Sequence, residues 1–380
     1  MSLAHSQLRS AAAASAIGVM VVDDSVFVRG VICRWLAEDK QFELVATHAN
    51  GLAAVEDLAR ARPDVVILDL EMPEMDGLTA LPLILKQRPN TAVIVASALT
   101  RRGAEVSMKA LTLGAADYVP KPDAAQGSLA KDAFKSELTA KVRSLGRKAQ
   151  TARDRNPAAG GAVLAPAAPL LSARLKMPER MRPYSLSPVT ALAIGSSTGG
   201  PQALTKLFAA IGPYLGRVPV FVTQHMPATF TAILAEHLRQ AAGIPAAEGV
   251  DGEVVGPGRI YVAPGGRHMV PEKSGGATII RLSDEPPVNF CKPAVDPMFG
   301  AVSAVYRSGL LGLVLTGMGC DGAQGAGIVT NAGGSVIVQD EESSVVWGMP
   351  GATAAAGNTC EVLSLDAIGR KVIRLLGGRP

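Results

Sequence analysis

With 380 residues, 48% hydrophobic and only 18% charged, the chain is long enough for two or three domains and too apolar to be disordered. Aromatics make up 4% of the residues, and 40 Gly with 26 Pro indicate an α/β protein with short, glycine-punctuated loops, which excludes a coiled coil. The net charge of +4 is local: residues 147–186 hold eight Lys/Arg against Asp154 and Glu179, so no folded nucleic-acid-binding face and no nucleic-acid partner are expected.

Residues 1–16, rich in alanine, read as a disordered arm. Neither this arm nor any later stretch has the long apolar run of a membrane span or export signal, so a cytoplasmic location without membrane insertion is expected. From residue 17 to 146, short apolar runs alternate with helical patterns. Five strands are expected at Gly18–Val22, Phe42–Ala46, Asp64–Leu68, Ala92–Ala96 and Asp117–Val119. A first helix is expected over Phe27–Asp39, and a last one from about Ala130 to Leu145. Strands that are continuously apolar suit a parallel sheet covered by helices on both faces, with ligands at the carboxyl ends of the strands.

Polar residues stand at those ends: Asp23 and Asp24 after the first strand, Asp69 after the third, Ser97 after the fourth and Lys121 after the fifth. Converging carboxylates call for a hard divalent cation such as Mg²⁺. Lys121 then offers a positive charge and Ser97 a hydroxyl to a phosphoryl group, for which Asp69 is the carboxylate nucleophile. Taken singly these residues have simpler uses, since Asp24 or Ser25 suits a helix N-cap.

Together, DD, D-x-x-M-P-x-M-D-G, S-A and K-P at these strand ends resemble the receiver domain of two-component response regulators. The resemblance implies a five-stranded, flavodoxin-like sheet over residues 17–146 and phosphorylation of Asp69 by a histidine kinase of a chemotaxis pathway. It also implies Mg²⁺ on Asp24 and Asp69 with Asp23 behind a water, a backbone carbonyl from Glu71, Ser97 and Tyr118 as switch residues, and a cis Pro122 after Lys121.

Residues 147–186 include RNPAAGGAVLAPAAP and read as a linker. The second domain, residues 187–380, opens with an apolar strand at Ala191–Ile194 that runs into GSSTGG. Gly195 to Gly199 satisfy G-x-S-x-G, a turn that exposes the central Ser197 at a helix N-terminus, although a phosphate-cradling turn would look the same. Of the domain's three histidines, His225 follows the strand Val218–Val222 and so shares the edge with Ser197, whereas His237 lies in a helical pattern and His268 in a loop. A third strand, Leu311–Leu315, leads into TGMGCDG, where Asp321 either orients the imidazole or N-caps the next helix. The order Ser197, His225, Asp321 departs from that of α/β-hydrolases.

IGSSTGG, QHMP and LTGMGCDG together resemble the catalytic domain of the CheB family of chemotaxis methylesterases, here behind a receiver. That resemblance implies a mostly parallel, doubly wound sheet with a Ser-His-Asp site at the strand carboxyl ends. Ser197 would be the nucleophile, His225 the general base and then acid, and Asp321 the residue that orients it. Backbone around Met318 would help form the oxyanion site, and Thr198, His268 and the KPAVDPMF stretch would surround it. The expected substrate is the glutamyl methyl ester of chemoreceptor cytoplasmic helices, with methanol released, and receptor glutamine could be deamidated by the same chemistry. No cofactor beyond Mg²⁺ at the receiver is expected. Ser196 stands where alanine is frequent and Lys292 where arginine is common. The four cysteines, Cys33, Cys291, Cys320 and Cys360, are spaced as reduced thiols. A response regulator with a non-catalytic binding output domain is the alternative.

Overall fold

The computed structural model describes residues 15–121, 128–155 and 181–377; most of the arm, Pro122 and the centre of the linker lie outside the described residues. The N-terminal domain is built on five strands: β1 (Ile17–Val22), β2 (Phe42–His48), β3 (Val65–Asp69), β4 (Ala92–Ala98) and β5 (Asp117–Lys121). All pair in parallel in the order β2-β1-β3-β4-β5. Val19, Val21, Val65 and Ile67 pack on one face with Ile32 and Leu36, while Met20, Val66 and Leu68 pack on the other with Ala54 and Leu81. Burial on both faces is why these strands lack polar alternation.

The helices are α1 (Val26–Ala37), α2 (Gly51–Ala61), α3 (Gly77–Gln87), α4 (Arg101–Thr112) and α5 (Ser128–Arg155). Ser25, Asn50, Asp76 and Thr100 cap the first four, each side chain accepting a backbone N–H at the start of its helix. The α1 cap is thus Ser25, which leaves Asp24 free for other work.

Helix α5 runs on to Arg155, past the Leu145 at which the sequence reading ends it. Gly146 is a point of close approach, not a terminator: a Cβ there would lie 2.3 Å from Ile17 Cγ2. Beyond it, Gln150 donates to Ala16 O and Asp64 Oδ2 (3.1 and 3.0 Å), and Arg153 pairs with Asp64 at 2.8 Å. These contacts tie the extra turns to the domain.

The C-terminal domain has a seven-stranded parallel sheet ordered β16-β15-β14-β6-β7-β9-β8. Its strands are β6 (Ala191–Ser196), β7 (Val220–Gln224), β8 (Ala246–Glu248), β9 (Ile260–Val262), β14 (Leu310–Val314), β15 (Ser335–Gln339) and β16 (Glu361–Leu363). The helices are α6 (Gly200–Ile211), α7 (Ala228–Ala242), α8 (Val295–Tyr306), α9 (Ala323–Asn331), α10 (Gly348–Ala355) and α11 (Leu365–Leu375). Between β9 and α8 come two small antiparallel hairpins, β10 (His268–Met269) with β13 (Leu282–Ser283), and β11 (Glu272–Ser274) with β12 (Ala277–Ile279). Central β6 is flanked by β7 on one side and β14 on the other, so the chain reverses direction across the sheet there. A crevice at such a reversal is where α/β sheets bind ligands.

The domains are packed together. α4 lies against α6 and α7, and Met108, Leu111 and Tyr118 share one apolar cluster with Leu204, Met226, Phe230 and Ile233. Gln202 donates to the carbonyls of Leu111 and Ala115, and Lys148 donates to that of Ser344. Among the described residues, no helix is long and apolar enough to cross a membrane.

Candidate active site and phosphoacceptor site

The strand ends of the C-terminal sheet bring the predicted triad to one edge. Ser197 is the first residue beyond β6 and His225 the first beyond β7, and the two ends are stitched by His225 N–H donating to Ser196 O (3.1 Å). Ser197 is held through its backbone: its N–H donates to Thr316 O (3.0 Å), and its carbonyl accepts from Gln224 Nε2 (2.9 Å). The adjacent Ser196 points inward, fully buried, and donates to Gln224 Oε1 at 2.7 Å. Its hydroxyl is therefore committed to the sheet, which leaves Ser197, half-buried, as the hydroxyl at the surface of the crevice.

The turn depends on two glycines. Gly199 has φ 75, and a Cβ there would lie 2.5 Å from Val345; at Gly200 a Cβ would lie 1.9 Å from Gln224 Oε1. A side chain at Gly200 would displace Gln224, which holds Ser197, and one at Gly199 would displace Val345.

His225 Nε2 lies 2.7 Å from Asp321 Oδ2. Asp321 does not cap its own helix: Gly322 takes the cap position of α9, with φ 92. Its carboxylate instead accepts from Val295 N and Asp296 N (2.6 and 3.0 Å), the first amides of α8, as well as from Gly322 N. Asp296 returns the arrangement, accepting from Gly322 N and Gly325 N (2.9 and 2.6 Å) at the start of α9. Each acid thus caps the other's helix, and Asn289 Nδ2 donates to both, at 3.0 Å to Asp296 and 3.2 Å to Asp321. Burial works to raise Asp321, but its hydrogen bond to His225 and the two α8 amides hold it below the usual carboxylate range. Asp296 goes the other way, raised by burial and by the charge of Asp321. Burial likewise works to lower His225, yet Asp321 and Cys291 carry it up to about 9. The second ring nitrogen, Nδ1, lies 3.4 Å from Cys291 Sγ.

The remaining predicted residues are placed as follows. Thr198 is buried with its hydroxyl unbonded among the described residues, and its carbonyl accepts from Thr316 Oγ1 at 2.8 Å. Met318 stands in the β14–α9 loop, packed against the receiver's apolar cluster. His268 is buried, accepting from Ala294 N (3.1 Å) through Nδ1, with Nε2 3.1 Å from Pro286 O, so it braces the loop ahead of α8. Lys292 donates to Asp284 O at 2.8 Å. Cys320 is exposed. Sequence reasoning missed Gln224, Asn289 and the role of Asp296. Asp296 lay within a stretch that had been singled out, but no spacing rule announces a cap supplied from a separate loop.

In the receiver, carboxylate oxygens of Asp23, Asp24 and Asp69 lie within 4.8 Å of one another. Lys121 Nζ pairs with Asp23 at 2.7 Å and Asp69 at 2.8 Å. Burial raises the Asp69 carboxyl against the pull of Lys121, while the two carboxylates overcome the desolvation of Lys121 and raise it. Asp23 Oδ2 is taken up by Lys121, and the oxygens that converge from Asp23, Asp24 and Asp69 still carry lone pairs that a cation would satisfy. The oxygen-only donor set fits Mg²⁺. Glu71 has its side chain outside this cluster, 3.5 Å from Arg102. Ser97, buried, shares a 2.5 Å hydrogen bond with Ser107 of α4. Tyr118 is buried against the other domain, stacked on Phe230 of α7 at 4.5 Å and 13°.

Comparison with known proteins agrees with both halves. Residues 192–372 match the CheB methylesterase family and residues 19–133 the response regulator receiver domain. The protein-glutamate methylesterase/protein-glutamine glutaminase of Rhodopseudomonas palustris (strain BisB5) is 52% identical over 364 residues, 95% of this chain and 94% of that protein. The protein of the same name from Nitrobacter hamburgensis is 52% identical over 368 residues, again 95% and 94%. The chain belongs to this methylesterase family. The crystal structure of the Thermotoga maritima CheB methylesterase catalytic domain superposes with a TM-score of 0.48 at 37% identity, covering 50% of this chain and 100% of that one. As a family member the chain is a carboxylic ester hydrolase coupled to a receiver. The expected two-domain α/β architecture is the one observed.

Proposed function

We propose that the chain removes methyl groups from glutamyl methyl esters on chemoreceptor cytoplasmic helices, with Ser197 as nucleophile, and that phosphorylation of Asp69 controls the rate. The observation that carries the chemistry is the His225–Asp321 contact of 2.7 Å at the strand end next to Ser197. Ser197 Oγ attacks the ester carbonyl as His225 takes its proton, the C–O bond to methoxide breaks, and the same proton leaves with methanol. Water, activated by His225, then hydrolyses the acyl-enzyme. Backbone N–H groups of the loop around Met318, with Thr198 beside them, are the oxyanion donors. Attack on a glutamine amide by the same route releases ammonia, which matches the second activity in the relatives' name.

Against the pull of burial, Asp321 and Cys291 raise the His225 imidazole to about 9, so the neutral ring that accepts the Ser197 proton gains population as pH rises. The receiver, packed against Met318 beside the site, is what holds the enzyme slow in this arrangement. When bound, Mg²⁺ neutralises the incoming phosphoryl charge; Asp23, Asp24 and Asp69 with the Glu71 carbonyl would hold it. A histidine kinase is the phosphodonor. Lys121, already on Asp69, contacts the phosphoryl oxygens, and Ser97 leaves Ser107 to bond one of them. The movement loosens α4 and the Tyr118–Phe230 stack.

Proteolysed or truncated forms are unnecessary for a test. Methanol release from methylated receptor membranes is expected to vanish in Ser197→Ala and persist in Ser196→Ala, and persistence in Ser197→Ala would refute the assignment. The receiver spans residues 17–146 and the esterase 187–380, with helix α5 reaching beyond the first.

A further inference from the structure

Thr316 is the second residue beyond β14 and is 1% exposed, and each of its polar groups is bonded. Its N–H donates to Gln339 Oε1 (2.9 Å), and its carbonyl accepts from Ser197 N–H (3.0 Å). Its hydroxyl oxygen accepts from Val346 N–H (3.0 Å) and lies 2.8 Å from Thr198 O and 3.2 Å from Val346 O. A hydroxyl carries one proton, so two carbonyls contest it, and Val346 O also accepts from Gly317 N–H (2.9 Å). Thr316 thus grips both ends of the Ser197–Thr198 pair, the amide nitrogen of one and the carbonyl of the other. Ser197 is held through its backbone, so these bonds help to set where its hydroxyl stands.

The same hydroxyl reaches the receiver's contact surface. Val346 is buried in one apolar cluster with Val142 and Leu145 of α5, Val345 packs against that cluster, and Lys148 of α5 donates to Ser344 O. Residues 344–346 are therefore held from the receiver side while they share the Thr316 hydroxyl with the nucleophile turn.

We infer that Thr316 is a positioning residue for Ser197, and that its hydroxyl passes the receiver's hold on residues 344–346 to the nucleophile. This rests on Ser197 being the nucleophile, as proposed above. With α5 in place, Val346 O competes for the hydroxyl proton. When α5 lets go of Ser344, Val346 moves off and Thr198 O keeps the proton alone, which fixes the Ser197 turn in its working position. The hydroxyl touches no reacting atom, and it acts only through the turn it holds.

The test uses the full-length protein on methylated receptor membranes, with Mg²⁺ and acetyl phosphate as stimulant. Thr316→Val keeps the outline of the side chain and removes the proton. Its stimulated kcat is expected to fall by about tenfold or more with KM within about twofold of the wild type, and Thr316→Ser is expected to bring kcat back to within about threefold. Lys148→Met frees Ser344 O. It is expected to raise the unstimulated rate several-fold with Thr316 present, and to change it by less than about twofold in the Thr316→Val background. An unchanged kcat in Thr316→Val, a Thr316→Ser protein no better than Thr316→Val, or a rise from Lys148→Met as large without the hydroxyl as with it, would overturn the inference. Methanol release that persists in Ser197→Ala would instead remove the reading on which it rests. Should Thr316→Val fail to fold, hydrogen exchange of the wild type decides: on phosphorylation the Val346 amide is expected to exchange faster while the Ser197 amide keeps its protection, and equal protection of Val346 in both states would overturn the inference.

Discussion

Two adjacent serines show how much one step of β-pleat decides. Ser196 and Ser197 have the same chemistry, but the last residue of β6 faces the interior and the next one faces the crevice. Ser197→Ala should therefore lower methanol release by about 10⁴-fold or more. Ser196→Ala should leave turnover measurable while costing about 1–3 kcal/mol in urea unfolding, because Gln224 Oε1 loses its donor inside the protein. The raised His225 makes a second prediction at this scale. Only the neutral ring accepts a proton, and with a pKa of about 9 its neutral fraction grows roughly tenfold per pH step below that value. The methanol-release rate of the unphosphorylated protein should climb from pH 7 and level off near pH 9. A plateau already reached by pH 7 would show that the base is not held protonated.

At the scale of elements, the crossed capping by Asp321 and Asp296 joins the N-termini of α8 and α9 to the imidazole. Replacing Asp296 by alanine leaves Gly325 N without its acceptor and Gly322 N with Asp321 alone, so about 1–3 kcal/mol of stability and a lowered kcat are expected together. Loss of stability with full kcat would mean that Asp296 does not position Asp321. How legible these features were in the sequence follows from their range. The β6 turn was readable because G-x-S-x-G is local, and the strand ends of the receiver were readable because each polar residue directly follows an apolar run. His225 was chosen over His268 on position alone, and His268 indeed serves to hold the loop before α8. Gln224, Asn289 and the α8 cap were not readable, since each links loops far apart in the chain. Likewise Gly146 looked like a helix end, and only its contact with Ile17 shows why the helix continues.

In the whole molecule, Tyr118, the proposed switch residue of the receiver, packs into the core of the other domain. Tyr118 stacks on Phe230, and Lys148 of α5 reaches Ser344, whose loop continues through Val346 to Thr316 and Gly317 beside Ser197. Phosphorylation can therefore reach the esterase by loosening packed groups, with no contact between Asp69 and the triad. Phe230→Ala removes the stack and should raise the unphosphorylated rate several-fold while reducing the further rise on phosphorylation; an unchanged rate would place the coupling elsewhere. The most direct test of the central claim is the initial rate of methanol release from methylated receptor membranes by the full-length protein, with and without Mg²⁺ and acetyl phosphate, in wild type and in Asp69→Asn. A rise confined to the wild type is predicted, and a wild-type rate indifferent to the phosphodonor would contradict the claim that the receiver governs the Ser197 site.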